Sequence, residues 1–264
     1  MDYNACLDRY KMKKVKVTEI VKFLNKTLEV SRIKDSSKNG LQVKASNETN
    51  RIAFAVDACL DTFKKAKQQD CNMVVVHHGL LWKGSKDSLK WKEKNIAYLK
   101  KNRMSLYAAH LPLDKHNKYG NNIKLAELLG LSNIKEFGDY HGIKIGFSGR
   151  FKNPTSLYAV AGKIEKTLKT KCITVQGGKN KLKTIAIVSG GGSSALEEAI
   201  LKKYDCFLIG EAPHYVHNEA KDRGMNLLVA GHYHTETLGV KALAELLAER
   251  FGVKTVFIDN PTLF

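Results

Sequence analysis

Met73-Val74-Val75-Val76-His77-His78 is the stretch on which the fold turns: four residues of an apolar, β-rich run, then two adjacent histidines. Such a run reads as a strand, and in open α/β sheets ligand sites gather past the carboxyl ends of strands. Neighbouring side chains diverge in a regular helix or strand, so an adjacent His pair does not easily hold one ion. At a strand exit it can serve two ions side by side.

The same position recurs twice. Residues 104–108 read as a strand leading into His110-Leu111-Pro112-Leu113-Asp114. Residues 225–230 read as another, running into Gly231-His232-Tyr233-His234-Thr235-Glu236 at the start of the last long helix. If that helix begins at or before His232, then His232 and Glu236 lie four apart on one face and can close on the same ion, while His234 points away. His77, His78, Asp114, His232 and Glu236 are therefore the candidate metal ligands. Imidazole and carboxylate donors without thiolate suit zinc, iron or manganese rather than calcium or an iron–sulfur cluster.

Around these motifs the chain alternates helix and strand. Residues 17–28 predict an amphipathic helix, with Ile20, Val21, Phe23, Leu24 and Leu28 at helical spacing, and 31–40 a polar loop. Strand 51–56, helix 60–69, strand 73–76, helix 95–102, strand 104–108 and helix 120–129 follow, which is an α/β fold with a parallel sheet. After Leu131 the composition shifts: Gly138, Gly142, Gly146 and Gly149 punctuate a hairpin, followed by Pro154 and a helix over 156–168. Strand 183–188, helix 195–203 and strand 205–209 come next. The segment from Asn226 onward, ending in helix 238–251 and strand 254–258, is expected to rejoin the first domain, because its ligands must meet those near residues 77 and 114. The expected organisation is a discontinuous ligand-bearing domain, 12–130 plus 226–264, and a second α/β domain, 131–225. Residues 1–11 read as a disordered extension ahead of Met12.

Composition bounds the function classes. Over 264 residues, 43% hydrophobic and 27% charged content is ordinary for a globular chain. No apolar run approaches the ~20 residues of a membrane span, and no signal-like stretch precedes the charged segment at 11–16, so a cytoplasmic protein is expected. Cys6, Cys59, Cys71, Cys172 and Cys206 are scattered without a Cys-x-x-Cys pair, which indicates neither a disulfide framework nor a thiolate zinc site. The net charge of +18, from 44 Lys and Arg against 26 Asp and Glu, favours anionic partners. No basic–aromatic recognition motif accompanies it, so charge alone does not choose between nucleotide, nucleic acid and a merely solvated lysine-rich surface.

With Asn39-Gly40-Leu41-Gln42-Val43, His77-His78, His110-x-x-Leu113-Asp114 and Gly231-His232-x-x-x-Glu236 in this order, the sequence resembles, over nearly its whole length, the NIF-three-like family. Many members of that family are called GTP cyclohydrolase type-two homologues. The resemblance implies two related α/β domains with a dinuclear metal centre in the cleft, and a ring-like homohexamer, a trimer of dimers. It further implies that His78 and Asp114 bind one ion and His77 and His232 the other, with Glu236 bridging both and His110 beside the site. Two departures stand out: Gly79 where many relatives have proline, and the absence of the large middle insertion of longer members.

These readings converge on a metal-dependent hydrolase acting on a nucleotide or related phosphorylated compound, purine-ring hydrolysis of GTP being the case named by the resemblance. Two divalent ions per chain bridged by Glu236 would bring the pKa of a shared water toward neutrality. Glu211 and His214, past a further strand end in Gly210-Glu211-Ala212-Pro213-His214, join His110 as candidates for proton transfer. Ser189-Gly190-Gly191-Gly192-Ser193-Ser194, between a strand and a helix, suits a phosphate cradle and equally a tight turn needing positive φ. The alternative is a non-catalytic hexameric protein, metal-handling or nucleic-acid-associated, whose basic surface predicts salt-sensitive binding.

Overall fold

The computed structural model describes residues 14–84 and 89–262; the expected extension over 1–11, with Cys6, lies outside them. The chain begins with β1 (Val15–Lys16), α1 (Val17–Thr27), β2 (Gly40–Val43), β3 (Glu48–Thr49), β4 (Arg51–Asp57) and α2 (Leu60–Gln68). It continues with β5 (Met73–His78), α3 (Leu89–Lys101), β6 (Ser105–Ala108), α4 (Leu111–Asp114), α5 (Asn121–Leu129) and the hairpin β7 (Ser132–Tyr140) and β8 (Ile143–Thr155). Then come α6 (Leu157–Leu168), β9 (Ile173–Val175), β10 (Leu182–Val188), α7 (Leu196–Leu201), β11 (Cys206–Ile209), α8 (His214–Asp222) and β12 (Asn226–Val229). The last elements are α9 (His232–Thr235), α10 (Thr237–Phe251) and β13 (Lys254–Phe257).

Two compact units result. The first runs to His110 and takes back Val240–Asn260. Its sheet has the order β13-β4-β5-β6-β2, with β13 to β6 parallel and β2 antiparallel on β6. The strands alternate Ala53, Ala55, Val74, Val76 and Leu106 into one core with Phe63 of α2 and Leu99 of α3. On α1, Val17, Ile20 and Leu24 are buried, the three-and-four spacing of a helix with one apolar face.

The second unit is Leu111–Gly239 with the chain end from Pro261. Its sheet has the order β7-β8-β10-β11-β12-β9, parallel only over β10, β11 and β12. Leu125 and Leu129 of α5 and Val160 and Ile164 of α6 pack with Ile185, Ile187, Leu208 and Leu228 from that parallel core. The Ser156 hydroxyl starts α6 by accepting from the Ala159 N–H at 3.1 Å. Each unit is thus α/β, with a mixed sheet.

Several elements differ from the sequence reading. The division falls at 110/111 and 239/240, not at 130/131 and 225/226: α5 packs on the sheet of the second unit, and β12 is hydrogen-bonded between β11 and β9 of that sheet, so of the segment from Asn226 only Val240–Asn260 rejoins the first unit, through β13 on β4. β5 continues through both histidines, because Asp57 at the end of β4 still pairs with His78 in the parallel register. The short strands β2 and β9 and the helix α8 were not expected. The helical stretch opens at His232, ahead of the expected 238 and meeting the condition set for His232 and Glu236, but breaks at Glu236, whose φ of −106° and ψ of 3° separate α9 from α10.

Candidate functional site

In the first unit, β5 and β6 lie side by side with Val76 opposite Ala108, so their carboxyl ends deliver His77, His78 and His110 to one place. The ring centroids of His77 and His78 are 4.5 Å apart, those of His77 and His110 5.1 Å, and those of His78 and His110 5.6 Å. One ring nitrogen from each lies within 4.8 Å of the others.

The second nitrogen of each ring also has a partner. Nδ1 of His77 is 2.9 Å from the Ala109 carbonyl, Nδ1 of His78 is 2.8 Å from Asp57 Oδ1, and Nδ1 of His110 is 3.1 Å from Asp35 Oδ1. An imidazole that donates Nδ1–H to such an acceptor keeps its proton there and presents Nε2 as a lone pair, the arrangement that orients metal-ligating histidines. The Asp35 carboxyl is itself fixed. Burial pushes it up, but His110, the Asn39 amide and the Ser37 N–H outweigh that and hold it at about 2. Asn39 also accepts the His110 backbone N–H at 2.7 Å, which ties the Asn39-to-Val43 motif to the histidine cluster.

Gln42 of the same motif accepts the Leu80 and Leu81 N–H groups through Oε1 at 2.8 and 3.1 Å. A Cβ at position 79 would run into that amide, which is the local reason for Gly79.

In the second unit, Asp114 ends α4 and is buried, its Oδ1 accepting from Asn121 Nδ2 at 2.9 Å and from the Ser189 hydroxyl at 3.1 Å. Asn122 carries the frame further: Oδ1 accepts the Ser189 N–H at 2.6 Å, and Nδ2 donates to the Ile145 carbonyl at 2.8 Å. On α9, His232 Nε2 is 3.2 Å from Glu236 Oε2 and its Nδ1 is 3.1 Å from Glu211 Oε2. Burial pulls the His232 pKa down, but the Glu236 and Glu211 carboxylates outweigh it and raise the imidazole to about 9.

The Ser189-to-Ser194 glycine run serves this geometry. Gly190, at φ 62°, has no side chain to collide with the Glu236 carboxylate. Its N–H donates to Thr235 Oγ1 at 3.0 Å, and its carbonyl accepts from Gly210 and Glu211 at 2.9 and 3.0 Å. With the amides of Ser189 and Gly190 committed internally, the run acts as a tight turn against a carboxylate.

Of the sequence-predicted residues, His77, His78 and His110 gather in the first unit, and His232, Glu236 and Glu211 in the second, where Asp114 sits in its own buried frame. His214 opens α8 with an exposed side chain that makes no hydrogen bond or ion pair among the described residues. Sequence reasoning missed Asp57, Asp35, Asn121 and Asn122; Asp57 ends a strand beside β5, the signal by which the histidines themselves were found. The imidazole and carboxylate donors fit a metal ion, and the described cysteines stand outside every donor group found among the described residues. Burial pushes the Cys71 thiol up to about 11 and the Cys172 thiol to about 12, which leaves both protonated. Among the described residues no helix is long and apolar enough to cross a membrane.

The family profile described as Duf34/NIF3 (NGG1p interacting factor 3) matches residues 15–262. A relative from Pyrococcus horikoshii named GTP cyclohydrolase 1 type 2 homolog is 47% identical over 245 residues, covering 92% of this chain and 98% of its own. A protein of the same name from Archaeoglobus fulgidus is 39% identical over 246 residues, covering 93% and 98%. Among solved structures, TTHA1606 from Thermus thermophilus is similar with a TM-score of 0.85 and 37% identity, over 95% of this chain and 100% of that one.

Proposed function

The chain belongs to the Duf34/NIF3 family, and from that premise we propose that it is a metal-dependent hydrolase of nucleotides or related phosphorylated compounds. As the family resemblance implies, His77, His78, Asp114, His232 and Glu236 would hold two divalent ions, His78 and Asp114 serving one, His77 and His232 the other, and Glu236 both. The observation that supports the reading is the anchoring of the two strand-end imidazoles, His77 with Nδ1 against the Ala109 carbonyl and His78 with Nδ1 against the Asp57 carboxylate. When bound, such ions supply Lewis acidity and lower the pKa of water.

The chain's own residues do the rest. Asp57 and the Ala109 carbonyl keep His78 and His77 in the Nδ1–H tautomer, and Asn121 and Ser189 orient the Asp114 carboxylate by donating to it. Glu211, half exposed and in contact with His232, would accept a proton from an incoming nucleophile or return one to a leaving group. His110 orients within the cluster through Asp35. The substrate class rests on the relatives' name and on the basic charge. The proposal includes a cytoplasmic location and a ring-like homohexamer built from dimers.

The test is product analysis. Protein loaded in turn with zinc, iron or manganese is incubated with GTP and other nucleotides. A ring-opened purine or released orthophosphate, lost in Glu236→Ala and much reduced in Glu211→Gln, supports the reading. Equal turnover by wild type and Glu236→Ala, or none with any metal, contradicts it.

A further inference from the structure

At the amino ends of the first unit's strands lies a groove of about 810 Å³ whose rim carries Lys14, Lys16, Lys44 and Arg103. Among the described residues, Glu48 is the one carboxylate lining it. Among the described residues, none of these four cationic side chains makes an ion pair or a hydrogen bond. Four like charges facing one groove repel one another unless an anion lies between them.

The groove is built rather than incidental. Lys44 begins a loop pinned from below: the buried Ser105 hydroxyl accepts the Ala45 and Ser46 N–H groups at 3.1 and 3.0 Å. Asn72, just before β5, donates to the Glu48 carbonyl at 3.0 Å and accepts from Thr49 Oγ1 at 2.5 Å. Arg103 sits in the turn before β6 at φ 53°, a left-handed conformation in which glycine or asparagine is the usual occupant. Hydroxyl and amide groups of Thr18, Ser46, Asn47 and Asn72 complete the lining, and among the described residues no aromatic ring is part of it.

That chemistry selects a ligand class. Lys and Arg with small hydroxyl and amide donors recognise phosphate groups, whereas reading or stacking bases takes aromatic faces. The groove is also remote from the histidines. Asn72 and His78 are separated by the length of β5, ~20 Å at about 3.3 Å per residue.

We propose that this groove binds consecutive phosphate groups of a linear polyanion, without regard to base sequence and independently of the metal ligands. Four phosphate contacts on a single strand give a slope of about −3 in log K against log salt, of which two cations account for about half. The experiment measures binding of fluorescent single-stranded oligonucleotide of mixed sequence, and its competition by inorganic tripolyphosphate, across a salt series with holo protein. Lys44→Glu/Arg103→Glu should weaken binding at least tenfold and reduce the slope by about 1.4. Lys16→Glu/Lys44→Glu should do the same without touching the left-handed position. Lys152→Glu/Lys181→Glu, which removes equal charge from exposed positions of the second unit, should stay within twofold of wild type, and chelation of metal should change nothing. Tighter binding of the oligonucleotide than of tripolyphosphate identifies a nucleic-acid strand as the source of the phosphates, and equal affinity identifies free polyphosphate. Groove variants that bind within twofold of wild type, a control pair that loses as much as they do, or loss on chelation would each overturn the proposal.

Discussion

Asp57→Ala removes one acceptor and little else: the carboxylate 2.8 Å from His78 Nδ1. With it gone, no carboxylate holds the proton on Nδ1 of His78, so part of the population presents N–H where a lone pair is needed. Loss of such a partner lowers metal affinity about 10- to 100-fold, or about 1.4–2.8 kcal/mol. Here the two side chains are 31% and 19% exposed, so water can take over part of the role. The expected loss is at the lower end, about 10- to 30-fold. Asp57→Asn, which retains an oxygen acceptor but not the charge, should fall between wild type and Asp57→Ala. The assay is competition for zinc against a chromophoric chelator, with thermal unfolding of the apo protein as the control for folding. Affinity of Asp57→Ala within twofold of wild type, while His78→Ala loses binding, would refute the anchoring argument.

Other consequences are equally concrete. Asn122→Ala strands the Ser189 N–H and the Ile145 carbonyl in a fully buried place, at about 1–3 kcal/mol for each unsatisfied group; urea unfolding should show a loss of roughly 2–5 kcal/mol. Gly79→Ala forces the Gln42 amide aside and should cost about 1–3 kcal/mol by overpacking, a penalty that Gln42→Ala should partly relieve in a double-mutant cycle. Glu198 is pushed up by burial, but Lys202, the Asp139 N–H and Lys144 outweigh this and hold it at about 2. A depressed carboxyl stabilises fully above its ordinary pKa and loses that contribution as pH falls toward its folded value. Glu198→Gln should therefore flatten the acid limb of stability between about pH 4.5 and 2, as measured by thermal melts in a pH series.

The parallel strands were legible because β4, β5 and β6 are continuous apolar runs, and the histidines because they follow such runs directly. The partners that turn histidines into oriented donors were not legible. Asp35, in a polar loop, and Asp57 meet His110 and His78 only through tertiary placement and sheet register. The strands β2 and β9 were hidden by length: four residues with one bulged register, and three at a sheet edge, leave no periodicity to read. The break at Glu236 was equally silent, since no proline or glycine stands between His232 and Glu236 to mark it. The unit boundary was misplaced for a related reason. Candidate ligands were used to decide which strands belong together, whereas β12 follows its hydrogen-bond partners.

The most direct test of the central claim is elemental analysis of protein purified without chelator or affinity nickel, beside His78→Ala, Glu236→Ala and, as a control, His214→Ala. The account predicts about two ions per chain in wild type and in His214→Ala, and a sharp loss in the other two, steepest for Glu236→Ala, whose carboxylate is proposed to serve both ions. Wild-type protein that holds no zinc, iron or manganese even after reconstitution, or Glu236→Ala that retains full occupancy, would contradict it.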